Sequence, residues 1–168
     1  MEPGDELVDV VDEANEVVDA VSRRTLGADN LLHRCTYVFV LNQANELYVH
    51  RRTDTKDVYP GYFDVCAGGV NAAGETYEGC AVRELEEELG VSAIPTFRFV
   101  HRYEGPSERV FGGVFDVVWN GPIVWQSSEV AWGAFTAFDE VDAMIEQERF
   151  CPDGLEVFER WREGRLGW

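Results

Sequence analysis

The chain has 168 residues, long enough for a sizeable core, and with no Ser/Pro-rich linker or internal repeat it reads as one domain over residues 1–168. Its 32 acidic residues against 14 basic ones give a formal net charge of −18, which argues against a nucleic-acid polymer or an anionic membrane as the main partner. No apolar stretch approaches the length needed to span a bilayer.

Residues 1–30 form an N-terminal extension in which LVDVV and VVDAV, within 6–22, flank an acidic stretch containing Asn15 and predict a β-hairpin with acidic alternate faces. A short polar turn or helix follows. CTYVFVL at 35–41 and ELYVHR at 46–51 read as core strands paired around a turn at 42–45. Residues 96–103 and 109–119 read as strands joined by a turn at Gly105-Pro106, with another short strand near 123–125. Helices are expected over about 139–149 and 153–163. Strands alternating irregularly with a few helices fit a mixed sheet between helices, and periodicity leaves the strand order open.

The densest signal lies at 69–91, where Gly69, Glu75, Arg83, Glu84, Glu87, Glu88 and Gly90 surround one predicted helix. Glu84 to Glu87 is an i,i+3 step and Glu84 to Glu88 an i,i+4 step, so three carboxylates share a side. Like charges so placed repel unless solvent, arginines or a cation offset them, and hard divalent ions such as Mg²⁺ take oxygen ligands of this kind. Ala81, Val82, Leu85 and Leu89 recur at core-facing spacing and anchor the opposite flank. Gly90 sits where a left-handed C-terminal residue is expected.

These positions match, without departure, the pattern G, five residues, E, seven residues, R-E-aliphatic-x-E-E-x-G-aliphatic, and the chain therefore resembles the Nudix hydrolases. A glutamate-rich composition alone explains neither the glycines nor Arg83 at those offsets. The resemblance implies an α/β fold, a Nudix-type α/β/α sandwich with a mixed sheet and here an N-terminal β-hairpin. It also implies Mg²⁺- or Mn²⁺-dependent attack of water on phosphorus in a small-molecule diphosphate, usually a nucleoside diphosphate linked to another group. Carried over position by position, Glu84, Glu87 and Glu88 are the implied metal ligands, joined by the Gly69 carbonyl. Either Glu87 or Glu88 is the implied base. Arg83 is expected to orient the neighbouring glutamates, including Glu75, and Glu129 is the counterpart of an acidic ligand that many members add from a later loop.

Upstream, Arg51, Arg52 and Lys56 precede the motif as candidate phosphate binders. Lys56 is the chain's one lysine, the other basic residues being arginine. This lysine-poor, evenly acidic makeup is similar to that of halophile proteins, in which high ionic strength screens self-repulsion. Tyr59, Tyr62, Tyr103, Phe111, Trp119 and Trp132 are available to stack on a base, though core packing explains most of them. His33, His50 and His101 lie far apart and read as structural. Cys35, Cys66, Cys80 and Cys151 form no C-x-x-C pair, and with no signal-like N-terminus they read as reduced thiols in a cytoplasmic protein.

Residues 6–61 also resemble isopentenyl-diphosphate isomerase, a Nudix-fold enzyme that protonates an alkene. There the isomerase's catalytic Cys falls at Gly68 and its next His at Val70, while Cys66 serves only if two residues are deleted. His33 matches one histidine of the isomerase's metal element, Leu26 replaces the other, and Glu108 is out of clean register. A hydrolase of the isomerase-like Nudix subgroup is the better assignment, with the isomerase and a non-catalytic ligand-binding module as alternatives. Pro106 lies fifteen residues beyond Val91, a spacing associated with ADP-ribose hydrolysing members. The N-terminal hairpin is a candidate homodimer surface.

Overall fold

The computed structural model describes residues 2–165. The expected hairpin forms from β1 (Leu7–Val11) and β2 (Val17–Ser22), turned by Asp12, whose Oδ1 accepts from the Ala14 and Glu16 amides. The helix α1 (Arg23–Asp29) starts at Ser22, whose hydroxyl accepts from Thr25 N, and ends at Asn30 in a left-handed conformation.

The strands β3 (His33–Leu41) and β4 (Leu47–Arg52) form next and share only the Leu41↔Leu47 register pair, because they diverge from their turn. The short β5 (Phe63–Asp64) pairs with β4, and the chain beyond it fills the gap through bridges Val38↔Ala67 and Cys35↔Val70. After α2 (Tyr77–Leu89), β6 (Thr96–Glu104) and β7 (Arg109–Val118) pair antiparallel. Strand β7 lies parallel to β3 from His33↔Val110 to Leu41↔Val118. The last strand, β8 (Val130–Thr136), lies antiparallel to β4, and α3 (Phe138–Gln147) and α4 (Pro152–Arg165) close the chain.

The mixed sheet thus has two wings, β2-β1-β3-β7-β6 and β5-β4-β8, with the segment entering α2 threaded between them. Strand β3 is buried on both faces, as its near-continuous apolar run requires. Cys35, Tyr37, Phe39 and Leu41 pack toward Val141 of α3 and Val157, Phe158 and Trp161 of α4, with Phe39 stacked on Trp161 at 4.2 Å. Val38 and Val40 pack with Ala81, Leu85 and Leu89 of α2. This is the layered α/β arrangement expected from the sequence.

One strand is not where the sequence placed it. Residues 123–125 stay out of the sheet, and the backbone of residues 124–126 caps the end of α2 instead: Val124 N donates to Leu89 O (2.9 Å) and Gln126 N to Glu88 O (2.8 Å). The open carbonyls of a helix terminus took the donors that a ladder would have used. No helix among the described residues is long and apolar enough to cross a membrane.

Candidate active site

Helix α2 begins at Thr76, whose hydroxyl accepts from Gly79 N (3.1 Å), and closes at Gly90 with φ +64°, its amide bonded to Glu86 O (3.0 Å). Cys80, Ala81, Leu85 and Leu89 are essentially inaccessible. With that flank fixed, Glu84 (9% exposed) and Glu88 (8%) turn inward toward the gap between the wings, while Glu87 stays on the exposed rim. The three carboxylates share one side of the helix but not one environment.

Arg83 organises the inner edge. Its Nε and Nη2 bond the two oxygens of Glu75 (2.8 and 2.9 Å), and its Nη1 reaches Glu84 Oε1 (2.7 Å) and Glu87 Oε2 (3.3 Å). Such bidentate, charge-assisted geometry is stiff and directional. Burial pushes the Glu75 carboxyl up, and its Arg83 hydrogen bonds outweigh that, leaving it below the ordinary carboxylate range. With its fork shared among three glutamates, Arg83 orients carboxylates instead of reaching outward.

Gly69 lets Glu84 lie against the backbone, since a Cβ there would come 2.5 Å from Glu84 Oε1. The Gly69 carbonyl accepts from Thr36 N (2.9 Å) and faces the Cys80 thiol (3.6 Å). Glu88 Oε2 accepts from Gly68 N at 3.4 Å. Burial, then the Glu84 charge, pushes Glu88 up to about 8, against an opposing pull from Lys56. Glu84 is raised as well, chiefly by burial.

The loop after β4 and the loop before β8 complete the site. Thr53 ties them together through N to Glu129 O (3.2 Å) and Oγ1 to Ser128 O (3.1 Å), and Lys56 Nζ closes an ion pair with the Glu129 carboxylate. Lys56 and Glu129 therefore join Glu88. The other two basic candidates go elsewhere. Arg51 bonds Gly61 O and Asp54 and lines a bowl of about 520 Å³ with Tyr62, Phe63 and Arg149. Arg52 donates to Val58 O through Nε and Nη2 (3.2 and 2.9 Å).

Among the described residues no three His, Cys, Asp or Glu side chains are arranged as an ion's ligands, and the carboxylates here are met by Arg83 and Lys56. The donor set nevertheless fits a hard divalent cation. Glu84 and Glu88 are two buried, mutually repelling carboxylates, a combination that an oxygen-binding cation relieves.

One acidic group was not visible in the sequence. Asp64, Glu108 and Asp153 crowd together on the α4 side of the sheet: Tyr37 Oη donates to Asp153 Oδ2 (3.0 Å) and the Cys66 thiol to Asp64 Oδ1 (3.5 Å). Burial, then Asp153, pushes Glu108 up to about 8 and Asp64 up to about 6. These acids come from separate segments with no common spacing, and only the fold brings them together. The four cysteines are buried and free, and burial holds the Cys66 thiol well above its ordinary range. His33 bonds Leu31 O (2.8 Å) and His101 bonds Glu156 (2.7 Å), as structural histidines do. Tyr103 is core, whereas Trp132 is 42% exposed, edge-on to Phe63.

A mixed sheet flanked by helices, with an arginine-braced row of glutamates at the mouth of its gap, defines a Nudix domain, and the model of the NUDIX domain matches residues 31–159. The chain belongs to the Nudix family and is a Nudix hydrolase. It is 38% identical to "Uncharacterized Nudix hydrolase SCO1686" of Streptomyces coelicolor, over 98% of this chain and 93% of that protein. It is 39% identical to "Uncharacterized Nudix hydrolase YfcD" of Escherichia coli K12, over 93% and 86% respectively. Among solved structures, DR0079 from Deinococcus radiodurans aligns with a TM-score of 0.77 at 26% identity, covering 92% of this chain and 98% of that one.

Proposed function

We propose that the protein hydrolyses the diphosphate bond of a soluble small molecule, a nucleoside diphosphate linked to another group or a similar diphosphate, using Mg²⁺ or Mn²⁺. The observation that carries this reading is the Arg83 fork, which fixes Glu84 and Glu87 beside a buried Glu88 whose carboxyl is pushed up to about 8. Glu84, Glu87, Glu88, Glu129 and the Gly69 carbonyl would hold the metal. The ion, when bound, supplies charge neutralisation for the phosphates and a lowered pKa for water.

The chain's own residues supply the rest. Gly68 N holds Glu88 Oε2, leaving Oε1 to take a proton from the attacking water. A P–O bond to water forms as the bridging P–O bond breaks. Lys56 offers its ammonium to the phosphates once Glu129 is otherwise engaged. Four buried thiols support a reducing, cytoplasmic setting, and the −18 charge supports work at high ionic strength.

The isomerase reading meets an obstacle at Gly68. This residue, at φ +150°, is the position onto which the isomerase's cysteine falls, and a Cβ there would lie 1.9 Å from Thr36 O. No side chain fits. A binding module, by contrast, would hold a ligand in millimolar Mg²⁺ without releasing product.

The test is phosphate or nucleotide release across nucleotide sugars, dinucleotides, ADP-ribose and isopentenyl diphosphate in high salt. Replacing Glu87 and Glu88 with Gln is expected to remove about 10²-fold or more of the rate while leaving the fold intact. Undiminished turnover in that double variant would overturn the assignment.

A further inference from the structure

The N-terminal hairpin lies outside the residues that the family model matches, yet it grips the loop that enters the catalytic helix. Asp9 Oδ2 on β1 accepts from Gly74 N (2.8 Å), and Leu7 O accepts from Ala73 N (2.8 Å). These two bonds hold consecutive amides of the 70–76 loop. The next residue is Glu75, whose Oε2 also accepts from Ala72 N (2.9 Å) and whose two oxygens seat the Arg83 fork. Arg83 in turn fixes Glu84 and Glu87. An unbroken series of short bonds therefore runs from Asp9 through Gly74, Glu75 and Arg83 to the glutamates.

A second tie starts at the hairpin's turn. Asn15, in the left-handed region at φ +63°, accepts from Arg34 Nε through Oδ1 (2.9 Å) and donates through Nδ2 to Tyr77 Oη (3.2 Å), the first residue of α2. Tyr77 Oη donates onward to Phe111 O (3.1 Å) of β7, and the Arg34 guanidinium lies over the Tyr77 ring. Between the two ties the joint is open. A cleft of about 440 Å³ separates Val17 and Asp9 of the hairpin from Glu75 and Tyr77. Across that cleft the hairpin and the loop are joined by the hydrogen bonds just described. Gly74, at φ +76°, faces open space, with nothing within 4 Å of a Cβ added there.

We infer that the β1–β2 hairpin is a brace for the metal-binding carboxylates, with Asp9 as its main positioning residue and the Asn15–Tyr77 contact as its second hold. The inference rests on the metal-dependent reading of α2 proposed above. Groups that orient a ligand from outside the coordination sphere typically change metal affinity about 10–100-fold, and one further bond removed the effect is smaller.

The test uses the full chain with Mn²⁺ alone and no substrate. Mn²⁺ affinity is read by electron paramagnetic resonance and the Gly74 and Ala73 amides by hydrogen exchange, with circular dichroism and thermal unfolding as controls on the fold. Asp9→Ala is expected to speed exchange at Gly74 and weaken Mn²⁺ binding about 3- to 10-fold. Asp9→Asn keeps an acceptor for Gly74 N and should restore both. Tyr77→Phe, which removes only the hydroxyl, should weaken Mn²⁺ binding by a smaller factor and keeps the test available if Asp9→Ala does not fold. Equal Mn²⁺ affinity in wild type, Asp9→Ala and Tyr77→Phe, or no Mn²⁺ binding by wild type, overturns the brace. Failure of the wild type to release phosphate from any diphosphate would instead remove the hydrolase reading and leave the substrate-free binding result standing.

Discussion

Lys56, the chain's lone lysine, closes an ion pair on Glu129 beside Glu88, whose carboxyl it pulls down against the effect of burial. The two belong to loops that follow and precede neighbouring antiparallel strands, and Thr53 ties those loops together. An ammonium among glutamates holds the place of a cation and is a ready partner for phosphate.

Removing that charge should therefore change both binding and titration. Lys56→Met is expected to lower kcat/KM about 10-fold or more, with most of the loss in KM. Losing the opposing pull also moves Glu88 higher, so the acidic limb of the pH–rate profile should shift toward higher pH. Arginine at the same position should rescue poorly, because its planar fork does not replace a compact ammonium. A pH–rate profile of Lys56→Met that overlays the wild type would show that Lys56 does not act on Glu88.

Gly68 and Gly69 are adjacent but predict different failures. A Cβ at Gly68 would meet the Thr36 carbonyl at 1.9 Å, a backbone atom with nowhere to go, and φ there is +150°. Gly68→Ala should destabilise the fold by about 1–3 kcal/mol or more. At Gly69 the obstacle is the far end of Glu84, which can swing aside. Gly69→Ala should keep most of its thermal stability but lose activity, since Glu84 leaves the position Arg83 gives it. Thermal unfolding beside turnover distinguishes the two, and a Gly69→Ala enzyme of full activity would show that Glu84's place is not required.

Three buried acids give the metal-free protein an unusual pH dependence. Burial pushes Glu88 and Glu108 up to about 8 and Asp64 up to about 6, so the folded state binds protons that the unfolded chain has already released. Stability from these groups is complete below the unfolded carboxyl range near pH 4 and is lost as pH rises through the folded values. His50 acts in the opposite direction: burial lowers it to about 3, so its neutral form is favoured and stability falls as pH drops below about 6.5. Between about pH 7.5 and 9 the histidine is neutral in both states, and the raised carboxyls decide the sign, with the buried thiols acting in the same direction. The melting temperature without metal should therefore fall across that interval. Each kcal/mol lost corresponds to about 2–4 °C in a chain of this size. Glu108→Gln should flatten the decline without touching the proposed metal ligands, and saturating Mg²⁺ should remove the part due to Glu88. A rising or flat melting curve over the same interval would contradict the assignment of these protons.

Helix α2 was legible because its constraints are local. The Ala81–Leu85–Leu89 stripe, Arg83, the glutamates and Gly90 lie within a few turns, where residue spacing alone determines which side chains meet. The hairpin at 7–22 and the strands at 96–104 and 109–118 were legible for the same reason, by alternation around a turn. What was hidden depends on long-range pairing. Strand β3 lies parallel to β7, and its separation from β4 opens the gap between the wings. That arrangement joins Lys56 to Glu129, turns Arg51 and Arg52 away from the glutamates and gathers Asp64, Glu108 and Asp153. The misplaced strand at 123–125 belongs here too, since an apolar run carries no sign of whether its amides will meet a ladder or the carbonyls closing α2.

The last prediction concerns salt. At −18 the chain repels itself, and 13 arginines with one lysine are not enough to neutralise 32 acids, even though ion pairs such as Arg102–Glu13 and Arg162–Asp142 form on the surface. Those pairs are exposed and individually weak, so screening them costs little, about 0–1 kcal/mol each. The dispersed repulsion is the larger effect. Raising ionic strength from about 0.01 M to 1 M shortens the screening length from about 30 Å to about 3 Å, which is from the scale of the whole domain to that of adjacent side chains. The melting temperature should accordingly rise with KCl across this range. Charge screening, unlike specific binding of the cation, should give the same rise with KCl and with tetramethylammonium chloride at low concentration. A melting temperature that falls as KCl is added would mean that the ion pairs outweigh the repulsion, and the acidic surface would then need another explanation.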